Sequence, residues 1–183
     1  AAAADQPNKI TTGNIWWVSS SHANTQDATD HGHSPLLPFA TLDYAIGRAT
    51  ANNCDAIYLM PNHAESPAAI DAVDFDIAGI KVIGLGTGDD RPTFTFITAT
   101  GADFEIDAAN IEITNCVFVC NIASQARMLT LTANADGAYI HHNLFREGTA
   151  SGLSMVEWTG AADDVRIEDN QFYAPTAATY DEA

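Results

Sequence analysis

Apolar residues return along the second half of the chain at an interval of 27. Ile113-x-x-Cys116-x-Phe118, Ile140-x-x-Asn143-x-Phe145 and Ile167-x-x-Asn170-x-Phe172 share one pattern, and Ile111, Ala138 and Val165 precede them at the same interval. Phe104, Leu131 and Trp158 keep it too. Within each segment apolar and polar positions alternate, as in Ile111-x-Ile113 and Val165-x-Ile167, the period-two mark of a strand with one buried face. Small or polar turns, DAAN, NADG and GAADD, stand before the motifs. A more distant copy (Val73, Phe75, DIAG, Ile80, Val82, Leu85) lies 31 residues before its counterparts from Phe104 to Cys116. AIYLM, with Ile57 and Leu59 alternating, opens a still earlier turn.

Short strands repeating at such an interval, with no helix between them, specify the coils of a parallel β-helix, an all-β solenoid. About five coils are expected, each adding ~4.8 Å, for a stack of roughly 24 Å. Each copy carries two strands joined by a polar bend. Asn143 and Asn170 at the bend suit a left-handed backbone and a side-chain ladder from coil to coil, which Cys116 interrupts. Ile113, Ile140 and Ile167 are expected in one stacked column. Phe118, Phe145 and Phe172 are expected in an internal aromatic ladder.

Upstream the period becomes helical. Leu42, Ala45, Ile46 and Ala49 share one face in PFATLDYAIGRATANN, Thr41 is the expected N-cap, and the run from Asn52 to Asp55 stops the helix. This helix is expected to lie across the open top of the coil, because an uncovered solenoid end invites association. NIWWVSSS reads as a strand and DATDHGHSP as a loop. The chain thus divides into residues 1–54, a strand, loop and capping helix, and residues 55–183, one continuous β-helix. At the far end only YAPTAATYDEA follows Phe172, which leaves the last coil to a partner or to further sequence.

The run IWWVSSSHANTQDATDHGHSPLLPFATLDYAIGRATANNCDAIYLMPNHAES resembles the N-terminal cap of right-handed parallel β-helix proteins of the pectin-lyase-like group. The following run, DIAGIKVIGLGTGDDRPTFTF…NIEITNCVFV, resembles a β-helix type common among tailed-phage virion proteins. The resemblance covers roughly residues 13–173, and its Ile-x-x-Asn-x-Phe element is generic to β-helices. It implies a right-handed β-helix with an N-terminal capping helix and association about a threefold axis, hence a homotrimer. This fold hosts lyases, hydrolases, spikes and passive structural parts, so activity has to be read from sites.

Composition narrows the partners. The 183 residues are 46% hydrophobic and 17% charged, a folded chain with a sizeable core. Acids number 24 against 7 Lys and Arg, a formal charge of −17, which argues against nucleic acid as a partner. No run approaches the ~18 apolar residues of a membrane span, so no membrane partner is expected. Neither is a signal peptide evident, since no basic stretch precedes an apolar one. Cys116 and Cys120 stand roughly 13 Å apart in an extended strand, too far for a disulfide. No Cys/His spacing matches zinc, and Cys54, Cys116 and Cys120 read as small buried apolar residues.

The chemistry-bearing residues are few. Lys81, Glu112, Tyr139 and Arg166 form an outward stripe of mixed charge, which reads as stacked ion pairs on a solvated face. At the bend, Thr114, His141 and Glu168 form one column and Asn115, His142 and Asp169 the next. His141 or His142 beside Glu168 has the chemistry of a His–carboxylate pair, but a polar surface ladder is the expected role. Asp30, His31 and His33 are a weak metal signal. Asp89 with Asp90, and Asp163 with Asp164, supply too few oxygens for calcium. No phosphate loop, serine elbow or Cys–His constellation is present. No catalytic residue, metal site or cofactor is therefore expected.

The expected role is that of a non-enzymatic virion structural protein of a tailed phage. It is a capsid decoration (cement) or short-spike component on the capsid surface or tail, bound to the major capsid protein or another virion protein. The alternative is a tailspike or tail-fibre fragment that binds or cleaves host-surface polysaccharide. A secreted bacterial adhesin or lyase is a third reading. Three or more acids or aromatics on one outer face over consecutive coils would favour glycan processing. An apolar, subunit-sized face would favour decoration.

Overall fold

Alternating segments become strands, and the strands stay short because a corner interrupts each one. The computed structural model describes residues 12–174. Its elements are β1 (Ile15–Val18), α1 (Leu42–Ile46), β2 (Ala56–Leu59), β3 (Ala64–Glu65), β4 (Val73–Phe75), β5 (Lys81–Gly84), β6 (Thr93–Phe96), β7 (Phe104–Ile106) and β8 (Glu112–Thr114). They continue with β9 (Val117–Cys120), β10 (Leu129–Leu131), β11 (Tyr139–His141), β12 (Leu144–Glu147), β13 (Val156–Trp158), β14 (Arg166–Glu168) and β15 (Gln171–Tyr173). Three parallel sheets result, ordered β1-β2-β5-β8-β11-β14, β3-β6-β9-β12-β15 and β4-β7-β10-β13. This is a parallel β-solenoid. Among the described residues it has four complete three-strand coils, and β14 and β15 begin another, against the five expected.

The repeat is real in space. Val82, Ile113, Ile140 and Ile167 share one register column, and Phe94, Phe118, Phe145 and Phe172 share another. The phenylalanine ladder stacks nearly parallel, with centroids 4.7 Å apart from Phe118 to Phe145 and 5.2 Å from Phe145 to Phe172. Phe118 and Phe145 are fully buried, whereas Phe172 and Ile167 end their columns partly exposed. The Phe104–Leu131–Trp158 column is corrected in part. Leu131 does pair with Trp158, but Phe104 pairs with Leu129. The link from β10 to β11 is two residues longer than that from β7 to β8, so the step from β7 to β10 shortens to 25.

Two corner columns turn the chain. Asn52, Gly79, Asn110, Gly137 and Asp164 adopt positive φ in one, and Asn115, His142 and Asp169 (φ 55–59°) in the other. The left-handed conformation thus falls one residue before Asn143 and Asn170, which are not among the positive-φ residues. Their ladder does form. The Cys116 and Asn143 N–H groups donate to the side-chain oxygens of Asn143 and Asn170 (both 2.9 Å), and the two side-chain amides donate back to the carbonyls of Ile113 and Ile140.

The top is closed as expected. α1 packs on β1, β2 and β4, burying Leu42, Ala45 and Ile46, with the Thr41 hydroxyl accepting from Tyr44 N–H. The helix is shorter than its apolar stripe: it ends at Gly47, and Ala49 packs on the core from the turns that follow. Cys116 and Cys120 are buried free thiols, but Cys54 is exposed at a left-handed corner. The expectation for the tail after Tyr173 lies, from residue 175 on, outside the described residues.

Candidate functional site

The outward stripe of the first sheet is a closed network. Lys81 pairs with Glu112, whose other oxygen lies 3.2 Å from His141 Nε2. Burial raises the Glu112 pKa, but hydrogen bonds from Lys81 and His141 outweigh it and hold the carboxyl below its ordinary range. His141 stacks on Tyr139 at 3.9 Å, and the Arg166 guanidinium lies 4.1 Å from the Tyr139 ring centre on the coil beyond. Glu168 bonds the Tyr139 hydroxyl and raises its pKa, so Glu168 serves Tyr139 while His141 pairs with Glu112. His142 Nδ1 lies 2.7 Å from His141 Nδ1. Lys81, Glu112 and His141 pair from coil to coil, whereas Arg166 meets the Tyr139 ring across coils and pairs with Glu168 on its own strand at 3.6 Å.

The third sheet presents a different outer face. Its register places Asp74, Glu105, Thr130 and Glu157 in one outward column. Asp71, Asp76, Asp103 and Asp107 flank the upper two. Burial, and then repulsion from Asp76, Asp107, Asp71 and Asp43, raises the Asp74 pKa. Burial and the same kind of repulsion raise that of Glu105. Lower on this face the charges are compensated. Asp103 accepts from Arg127 Nε (2.9 Å), the Thr130 hydroxyl and Asp71 N–H, and Arg127 also reaches Glu157 at 3.4 Å. The 31-residue step of the sequence already aligned Asp74 with Glu105, but the 25-residue step that brings Thr130, and through it Glu157, into the column was not legible in the 27-residue period. A carboxyl that keeps its proton at higher pH is the group that general-acid chemistry uses.

The open end is the third candidate. Leu153, Trp158, Ile167, Phe172 and Tyr173 are all exposed there, Leu153 by 73% and Phe172 by 54%. Val156, Trp158, Ile167 and Phe172 line one open depression with the segment from Leu153 to Met155. Among the described residues, strands β13, β14 and β15 have a partner on one edge only.

The residues weighed for metal binding do not converge on one site among the described residues. His31 bonds its neighbour Asp30 at 2.9 Å, and the His33 ring lies against Trp16. Asp89 and Asp90 form a short helical turn. Among the described residues no group of three or more His, Cys, Asp or Glu is placed to hold a metal, and no helix is long and apolar enough to cross a membrane. His63 forms a buried link not foreseen from the sequence. Its Nδ1 accepts from Ser20 N–H, its Nε2 donates to Glu65, and Glu65 in turn accepts the first helical N–H, that of Leu42. This dyad holds the cap. Comparison with protein-family models, curated proteins and solved structures finds no match to this chain.

Proposed function

We propose that this chain is a non-enzymatic structural component of a tailed-phage virion, a capsid decoration or short-spike protein that seats the open end of its solenoid on another virion protein. The observation that carries the reading is that open end: a capped, uninterrupted solenoid exposes Leu153, Trp158, Ile167, Phe172 and Tyr173 together at one pole. Contiguous exposed apolar surface beside one-sided strands is what a protein partner covers. Three copies with parallel axes would bring three such poles to one level, a composite base for the major capsid protein or a related shell protein. The resemblance to phage β-helices supports the setting, and the paired charges of the first sheet's outer face support a passive flank.

The test is co-sedimentation of the protein with capsid shells and with itself. Trp158→Glu with Phe172→Glu is expected to abolish both associations while the circular dichroism spectrum persists. A parent chain that stays monomeric and binds no shell would remove the reading.

A second reading rests on the acidic outer face. Asp74 and Glu105, with raised pKa values on adjacent coils, fit a glycan-handling surface. On the structural reading, incubation with pectin, alginate or capsular polysaccharide, with or without calcium, yields no new reducing or unsaturated ends. Turnover that is lost in Asp74→Asn or Glu105→Gln would transfer the assignment to glycan cleavage.

A further inference from the structure

Glu147 occupies a core position. In the register of the second sheet it follows Phe96 and Cys120 in one inward column. All three are buried, and Glu147 is 3% exposed. Its Oε2 is buried without a hydrogen-bond partner. An unpaired carboxylate oxygen inside a core is costly, so the position calls for a cation or a proton. Beside it lies a cavity of about 20 Å³, room for one water-sized body.

The lining of that cavity is unusual for this chain. It has three cysteines and three methionines, and Cys120, Met128 and Met155 meet here with Glu147. Cys120 and Met128 are buried. Gly152 forms part of the wall and sits close over the thiol: a Cβ there would lie 3.2 Å from Cys120 Sγ.

We propose that this cavity binds one soft monovalent cation, Cu(I), through the Cys120 sulfur and the Met128 and Met155 thioethers. One thiol and one carboxyl are too few for zinc, and one carboxyl is too few for calcium. Thiolate and thioether sulfur select Cu(I). The Cys120 thiol donates to Ile122 O at 3.4 Å. On binding, the S–H bond breaks, the sulfur bonds the cation, and the proton passes to the Glu147 carboxylate opposite it in the register. The sum is then a cation, a thiolate and a neutral acid. The buried negative charge is cancelled and no proton leaves the protein. Cys116, the other buried thiol, lines no part of this cavity.

The test uses the full chain carrying Cys54→Ser, which removes the exposed thiol. It is titrated without oxygen with Ag(I), a redox-inert probe of Cu(I) sites, then with Cu(I) against a chromophoric chelator. One ion per chain is expected by native mass spectrometry, with a raised melting temperature and no proton released into weak buffer. Met155→Leu conserves volume and is expected to weaken binding at least tenfold. Glu147→Gln is expected to release one proton per ion, so that affinity rises with pH. A folded parent that retains no ion, unchanged affinity in Met155→Leu, or binding by Glu147→Gln without proton release would each overturn the proposal.

Discussion

Asp74 and Asp55 show how one residue type serves opposite ends of the stability balance. Asp74 has a raised pKa, so its charge disfavours the folded state at neutral pH, and protonation relieves this as pH falls through the raised value. Asp74→Asn is therefore expected to stabilise the protein at pH 7, by roughly 0.2–1 kcal/mol, the scale of a like-charge pair on a sheet. Chemical denaturation should show the gain vanishing near pH 4. A loss of stability at pH 7 would mean that the carboxylate has a favourable partner. Asp55 has the reverse sign. Burial raises its pKa, but N–H groups of Thr50 and Asn14 and the side chains of Asn14 and Asn53 outweigh this and hold the carboxyl low. Its stabilisation is present above the ordinary carboxylate pKa and is lost as pH falls through the lowered one. Asp55→Asn is expected to cost about 1–3 kcal/mol at pH 7 and to flatten the acid limb of a Trp16 fluorescence titration, since Trp16 Nε1 also reaches this carboxylate. Such residues were hard to read in the sequence. An aspartate in NNCD has the same letters whether it faces solvent or collects donors from residues 41 and 39 positions away.

At the scale of the strand, the ladder concentrates stability in the middle coils. Phe145 is sandwiched between Phe118 and Phe172 with interplanar angles of 8° and 11°. Phe145→Ala removes a fully buried ring from the centre of that stack, at an expected cost of about 3–5 kcal/mol in a reversible melt. A cost under ~1 kcal/mol would contradict its burial. These elements were legible because the lower coils hold one period: Ile113, Ile140 and Ile167 align at equal spacing, and so do the phenylalanines. In the upper coils the 31-residue step was legible through Val73, Phe75 and Val82, but the shorter steps above it were not. The step is 25 residues from β2 to β5, 29 from β3 to β6 and 31 from β4 to β7, because the corners between strands differ in length. The misassigned left-handed residue has a related cause. Asn143 suits that conformation by type, yet its amide is needed flat against the neighbouring coil, so His142 takes the corner. Glu147 was legible in principle, since Phe145, expected inside, lies two residues before it and alternation then points Glu147 inward, but its charge reads as a surface residue.

For the whole molecule, charge opposes assembly. With −17 per chain, copies meeting at the apolar pole repel one another, and screening weakens that repulsion as the Debye length falls toward ~3 Å near 1 M salt. Self-association measured by sedimentation velocity is therefore expected to strengthen with sodium chloride, and Trp158→Glu should abolish it at every salt concentration. Weaker association in high salt would point to ion pairs at the contact. The cap shapes this behaviour as well. Among the described residues α1 covers the first coil and leaves the other pole exposed, so on the proposed reading copies are expected to close into a finite group.

The same polarity governs how the molecule yields to force. Each of the lower coils touches only the coil above and the coil below, and the last has no neighbour beyond it among the described residues. Pulled from its C-terminal side in an optical trap, the chain should unzip from that end, one turn per rupture. Each event should release 27 residues, the register step of the lower coils, or about 90–97 Å of extended chain. The final rupture should be the largest, because the helix, β1 and the first coil share the Asp55 and Glu65 bonds and must part together. A handle on the other terminus would have to break that cap first, so one protein would show two different unfolding forces according to the end that is held.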